Sequence, residues 1–129
     1  MSNIDQMLLL DTNAVLYLLQ GDYNMLQLTD KKRTAINFVI EIELFGWPGI
    51  KENDLELFRS FMKQAYFFDY SHRIKEITIM LKQKYNLKIG DAFIAATAIY
   101  YELTLVSADK SFVRVKELQL ISLTPSISK

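Results

Sequence analysis

The sequence predicts an α/β fold, a mostly parallel central sheet with helices on both faces. Three observations carry this. Short apolar runs at Met7–Leu10, Thr34–Asn37, Tyr66–Phe68 and Thr104–Ser107 alternate with longer segments of helical periodicity, the pattern of repeated strand–helix–strand units. The first run lacks in–out alternation, which suits a parallel strand covered on both sides. The chain has 129 residues, 50% of them apolar, which suits one domain over residues 1–129 with no repeat, low-complexity tract or linker.

Taken in order, Met7–Leu10 is a buried strand cut off by Asp11. Ala14–Leu19 is an apolar helix with Thr12 or Asn13 at its N-cap and Gly21 as its stop. Asn24–Lys32 is a weaker, partly polar helix, and Thr34–Asn37 a second strand. Val39–Phe45 reads as a helix closed by Gly46-Trp47-Pro48-Gly49. Asn53 or Asp54 caps Leu55–Gln64, whose Leu55, Phe58, Phe61 and Met62 lie near one stripe. Tyr66–Phe68 is a third strand, with Asp69 as a turn residue after it. Ser71 caps Arg73–Tyr85, which buries Ile74, Ile77, Met80 and Leu81 and leaves His72 on the surface. Asp91–Tyr101 is a helix dense in alanine (Ala92, Ala95, Ala96, Ala98), built for close approach to its neighbours. Thr104–Ser107 is a strand, Leu118–Leu123 a last edge strand, and Thr124–Lys129 a short polar tail expected to fray.

Composition excludes several chemistries. Without cysteine there is no disulfide, thiolate nucleophile or cysteine-held metal. His72, the one histidine, excludes an all-histidine metal site within one chain. No apolar run nears the roughly 20 residues that span a bilayer, and the N-terminus has no signal-like segment, so no membrane association and a cytoplasmic location are expected. The 15 Lys+Arg balance the 15 Asp+Glu. A net charge of zero removes the simplest argument for nucleic-acid binding, though a sum can hide a patch.

Parallel sheets form sites outside the carboxyl ends of their strands. Asp11 follows the first strand, Asp91 opens the alanine-rich helix and Asp109 lies past the Thr104–Ser107 strand. Singly, each is accounted for as a cap or turn residue, because a helix N-terminus stabilises a carboxylate. Together they would repel one another and raise one another's pKa values. A hard divalent cation relieves that repulsion, and an Asp/Glu set without His or Cys points to Mg2+ or Mn2+ serving phosphate chemistry. A fourth acid is sought on another helix. Glu41 and Glu43 point to nearly opposite sides of Val39–Phe45, and periodicity does not choose between them.

Four stretches carry a family resemblance. Leu9-Leu10-Asp11-Thr12-Asn13 resembles the opening strand of PIN domains, the metal-dependent ribonuclease fold of VapC-type toxins. Ile42-Glu43-Leu44-Phe45-Gly46-Trp47-Pro48 is similar to their second acidic motif, Leu87 to Ala98 to the third, and Leu105-Val106-Ser107-Ala108-Asp109-Lys110-Ser111-Phe112 to the fourth. The resemblance covers about the whole chain, and the eight residues Asp91–Ala98 are its most specific part. It implies a three-layer PIN-like fold and a catalytic, metal-holding quartet of Asp11, Glu43, Asp91 and Asp109, choosing Glu43 over Glu41. It also implies supporting roles for Asn13 and Ser107, with Thr12 a weaker match. Three positions depart from the pattern: Gly90 where Pro is common, Lys82 where Arg is common and Asn37 where Ser is usual.

By the same resemblance, the function is hydrolysis of RNA phosphodiesters with Mg2+ or Mn2+, as the toxin of a toxin–antitoxin pair. A cognate antitoxin and a second copy in a homodimer are the implied protein partners. Lys82, Lys84, Lys88 and Lys110 are candidate phosphate contacts, against the alternative of a solvated basic face. Phe45, Trp47, Pro48 and the Leu55–Met62 helix offer apolar surface to a partner, although Leu55, Phe58 and Met62 fit the core as well. Two rival classes are a catalytically silent PIN-like binding module and a receiver-like phosphotransfer domain with Asp11 as nucleophile.

Overall fold

The computed structural model describes residues 6–127. Five strands form its sheet: β1 (Met7–Leu10), β2 (Arg33–Asn37), β3 (Tyr66–Phe68), β4 (Thr104–Ser107) and β5 (Gln119–Ser122). The order is β3-β2-β1-β4-β5 and every neighbouring pair is parallel. All strand C-termini therefore open onto one edge of the sheet. The helices are α1 (Thr12–Leu19), α2 (Tyr23–Thr29), α3 (Phe38–Phe45), α4 (Glu52–Gln64), α5 (His72–Lys84) and α6 (Ile89–Tyr100), with a short 3-10 turn at Lys110–Phe112. This is the three-layer α/β fold that the sequence predicts. Leu8, Leu9 and Leu10 of β1 and all of β4 are buried at consecutive positions, so both faces of the sheet are covered.

The alanines of α6 do what their size suggests. Ala92, Ala95, Ala96 and Ala98 have no accessible surface, so backbone stands where longer side chains would hold the layers apart. The helix α5 lies along α6 and buries Ile74 and Leu81. Its third buried position is Thr78 rather than the expected Met80, which is 37% exposed. Thr78 tolerates burial because its hydroxyl donates to Ile74 O at 2.8 Å.

Helix starts differ from expectation at α1, α4 and α6. The cap of α1 is Asp11, not Thr12 or Asn13, its Oδ1 taking the Ala14 N–H at 2.9 Å. The helix α4 starts at Glu52, and Asp54 reaches back to the Lys51 N–H at 3.3 Å instead of capping. The helix α6 starts at Ile89, which leaves Asp91 inside the first turn. Ser71 caps α5 as expected, accepting from Ile74 N at 3.2 Å. Gly21 ends α1 in the left-handed region, φ +81°. Its N–H bonds Leu18 O and the Asp22 N–H bonds Tyr17 O, both at 3.0 Å, the paired closure that a glycine permits.

The tail does not fray through Ile127; residues 128–129 lie outside the described residues. Asp22, with no accessible surface, caps α2 through Met25 N and also accepts from Ser126 N, Ser126 Oγ and Ile127 N at 2.6–2.7 Å. Burial pushes this carboxyl up, but the four sets of hydrogen bonds outweigh it and hold it below the usual carboxylate range. Among the described residues, no helix is long and apolar enough to cross a membrane.

Candidate active site

The C-terminal edge of the sheet collects acids from four segments. Asp11 continues β1, which sits between β2 and β4 in the sheet. Its backbone N–H still reaches Val106 O at 3.3 Å. Only 7% of Asp11 is accessible. Ser107, the last residue of β4, donates its hydroxyl proton to Asp11 Oδ2 and accepts the Asp109 N–H at 2.9 Å. Asp109 in turn takes the Ser111 N–H at 2.9 Å and starts the 3-10 turn. Glu43, exposed on α3, accepts a hydrogen bond from Thr12 Oγ1. Asp91 occupies the first turn of α6, where the helix N-terminus favours negative charge.

Neighbouring acids act on Asp11 and Asp91. Burial pushes the Asp11 carboxyl up; hydrogen bonds from Ser107 and Ala14 offset part of this, and the charges of Asp109 and Asp91 add to the rise. Burial also raises Asp91, then the charges of Asp109 and Glu43, with Lys88 pulling partly the other way. Of the two glutamates on α3, Glu43 is the one bonded to Thr12 and felt by Asp91. Among the described residues, no three His, Cys, Asp or Glu side chains stand close enough together to hold a metal ion as they lie. Asp11, Glu43 and Asp109 each have oxygens engaged by hydrogen bonds within the chain. Beside Asp109, the buried Ser111 Oγ has no hydrogen-bond partner, leaving its lone pairs available.

The other candidate residues divide. Asn13 is exposed on the first turn of α1. Lys88 lies close enough to act on Asp91, and Lys110 is exposed just after Asp109. Lys82 and Lys84 are occupied elsewhere. Lys82 Nζ donates to Leu87 O at 2.8 Å, closing the α5–α6 connection. Lys84 pairs with Glu117 at 2.7 Å, and with Tyr85 it holds that carboxyl down at about 2. Trp47 is 52% exposed, whereas Phe45 packs edge-on against the buried Phe58. Thr12 is the residue that sequence reasoning undervalued, because its partner lies 31 positions away.

An all-parallel α/β domain with acids gathered at one sheet edge is a defined class of protein. The chain belongs to the PIN domain family, whose match runs over residues 8–118. No curated protein matches it. Among solved structures it is similar to a toxin–antitoxin complex from Klebsiella pneumoniae, with 26% identity, TM-score 0.75, and coverage of 88% of this chain and 94% of that one. It is similar also to VapBC2 from Rickettsia felis bound to a DNA fragment from its promoter, with 26% identity, TM-score 0.73, and coverage of 90% and 98%. DNA-bound VapBC from Salmonella typhimurium shares the fold at 18% identity and TM-score 0.77, covering 90% and 97%. The receiver-like alternative is overturned, since receivers order their sheet 2-1-3-4-5 and this sheet runs 3-2-1-4-5.

Proposed function

We propose that the chain is a metal-dependent endoribonuclease, the toxin of a toxin–antitoxin pair, acting in the cytoplasm on RNA phosphodiesters. The observation that supports this best is that acids from four segments at one sheet edge come within electrostatic reach, Asp109 and Asp91 acting on Asp11, and Asp109 and Glu43 acting on Asp91. A cap or a turn needs one acid. Here the Asp11 and Asp91 carboxyls are pushed up by burial and by the charges of neighbouring acids, which weakens the fold unless a cation uses them.

The donor set fits a hard divalent ion. It is all oxygen, it carries excess negative charge, and Ser111 Oγ adds a buried acceptor with no partner. Asp11, Glu43, Asp91 and Asp109 would hold Mg2+ or Mn2+ once their side chains turn inward. When bound, such an ion makes water nucleophilic at neutral pH and offsets charge on the phosphate and leaving oxygen. The chain's own residues orient the site: Ser107 fixes Asp11, Thr12 restrains Glu43, and Asn13 stands exposed beside them. Lys88, which acts on Asp91, and Lys110, exposed next to Asp109, are the cations this reading assigns to substrate phosphates. Setting the four acids aside leaves 15 basic against 11 acidic side chains, a mildly basic body around an acidic site.

The antitoxin partner draws support from the two toxin–antitoxin neighbours at 26% identity. Exposed Trp47 offers apolar surface for it. A homodimer belongs to the same reading, and a monomer by sedimentation at micromolar concentration contradicts it.

The test is to map new RNA 5′ ends after brief expression, wild type against Asp91→Asn, and to repeat the cleavage with purified protein in Mn2+ and in EDTA. A defined cut that vanishes in the variant and in EDTA supports the proposal. Cleavage that survives both overturns it. Mn2+ uptake without cleavage of any RNA leaves a binding module in its place.

A further inference from the structure

We propose that Asn37 is a positioning residue that braces α3 against α6 and so sets the separation between Glu43 and Asp91. The inference rests on the metal-site reading above and concerns a residue outside the carboxylate set. Asn37 ends β2, caps α3 and has no accessible surface. Its Oδ1 accepts the Ile40 N–H at 3.0 Å. Its Nδ2 donates to Thr97 Oγ1 at 3.0 Å and reaches Phe93 O at 3.4 Å. The Thr97 hydroxyl gives its own proton to Phe93 O at 2.8 Å, so its lone pairs face Asn37. Every side-chain polar atom of this buried bridge is hydrogen-bonded, and the bridge joins the start of α3 to α6.

Two further contacts lie along the same seam. The rings of Phe38 and Phe93 meet edge-on at 5.1 Å. At Gly90 a Cβ would stand 3.5 Å from Val39 Cγ1. The acids sit at matched distances from the bridge. Glu43 is six residues beyond Asn37, and Asp91 six residues before Thr97, or about 9 Å along each helix at 1.5 Å per residue. A 5° change in helix crossing would move a group at that distance by roughly 0.8 Å, beyond the ~0.5 Å tolerance of a preorganised site.

The family resemblance marks this position as one where serine is usual. A serine caps a helix through its single oxygen, but it has no second polar atom to carry across to Thr97. Asparagine divides the work, its oxygen for the cap and its nitrogen for the brace.

The test uses Asn37→Ser, which keeps a cap, Thr97→Val, which keeps the volume, and Thr97→Ser, which keeps the hydroxyl. The cysteine-free chain allows spin labels at Ile42→Cys on α3 and Tyr100→Cys on α6, both exposed. Without metal, the inter-label distance distribution should broaden or shift in Asn37→Ser and Thr97→Val and stay as in the parent in Thr97→Ser. Mn2+ dissociation constants should rise about tenfold in the first two and return in the third, beyond any change that tracks Tm. Superimposable distance distributions in all four proteins overturn the brace, as does unchanged Mn2+ affinity in a parent that binds Mn2+. A parent that binds no Mn2+ overturns the metal-site reading instead, and the spin-label comparison still decides whether Asn37 braces the helices.

Discussion

Ser107 gives its hydroxyl proton to Asp11 Oδ2 and takes the Asp109 N–H at 2.9 Å, so one buried oxygen ties together acids that follow two neighbouring strands. Ser107→Ala should lower unfolding free energy by about 1–2 kcal/mol, because it strands a donor and removes a buried bond. It also removes the strongest of the contacts that pull the Asp11 carboxyl down. The acid limb of the cleavage pH profile should therefore move to higher pH. Urea unfolding and a pH–rate series check the two halves separately.

The acids themselves work against the fold. Asp11 and Asp91 are both raised above the ordinary value of 3.8, so the native state binds more protons than the unfolded chain above that pH. Stability then falls as pH rises from about 3.8 through the native values. Asp11→Asn and Asp91→Asn should abolish cleavage and yet raise Tm at pH 7 in metal-free buffer, by the equivalent of about 0.5–2 kcal/mol. At pH 3 the gain should vanish. Calorimetry at the two pH values decides, and a loss of Tm at pH 7 would refute the sign.

Asp22 runs the opposite way. Its carboxyl is held below 3.8, so its contribution is present above that value and is lost as pH falls through the lower native one. Asp22→Asn should reduce stability at neutral pH and flatten its acid dependence. Amide exchange at Ser126 and Ile127, whose N–H groups Asp22 accepts, should rise sharply. Protection of those amides equal to the wild type's would remove Asp22 as the anchor of the tail.

Gly90 lies in the first turn of α6, where an added Cβ meets Val39 Cγ1 at an ordinary 3.5 Å. Gly90→Ala should stabilise by about 0.5–1 kcal/mol through helix propensity and unfolded-state entropy. Denaturant midpoints at constant slope would register the change.

Much of this was legible because the signals were local. A four-residue apolar run closed by Asp11, the Gly21 stop and the Ser71 cap each announce themselves within a few positions. Asp91–Ala98 carried the family pattern in eight consecutive residues. What escaped was set by partners distant in sequence. Lys84 read as a free cation until Glu117, 33 positions on, took its amine. The tail read as loose until Asp22, more than a hundred positions back, accepted its N–H groups. Asp11 outbid Thr12 and Asn13 for the α1 cap because a carboxylate is the stronger acceptor, leaving the Thr12 hydroxyl for Glu43.

The placement of β1 between β2 and β4 governs when the site comes into being. The strand β1 is made before its partner on the Ser107 side, which follows almost a hundred residues later, and Asp109 lies beyond that. A nascent chain halted anywhere before β4 holds Asp11 on an unpaired strand edge, with neither Ser107 to orient it nor Asp109 to join it. Anything that needs the four acids together therefore waits for β4 and the segment through Asp109, and a chain stopped before them lacks the set.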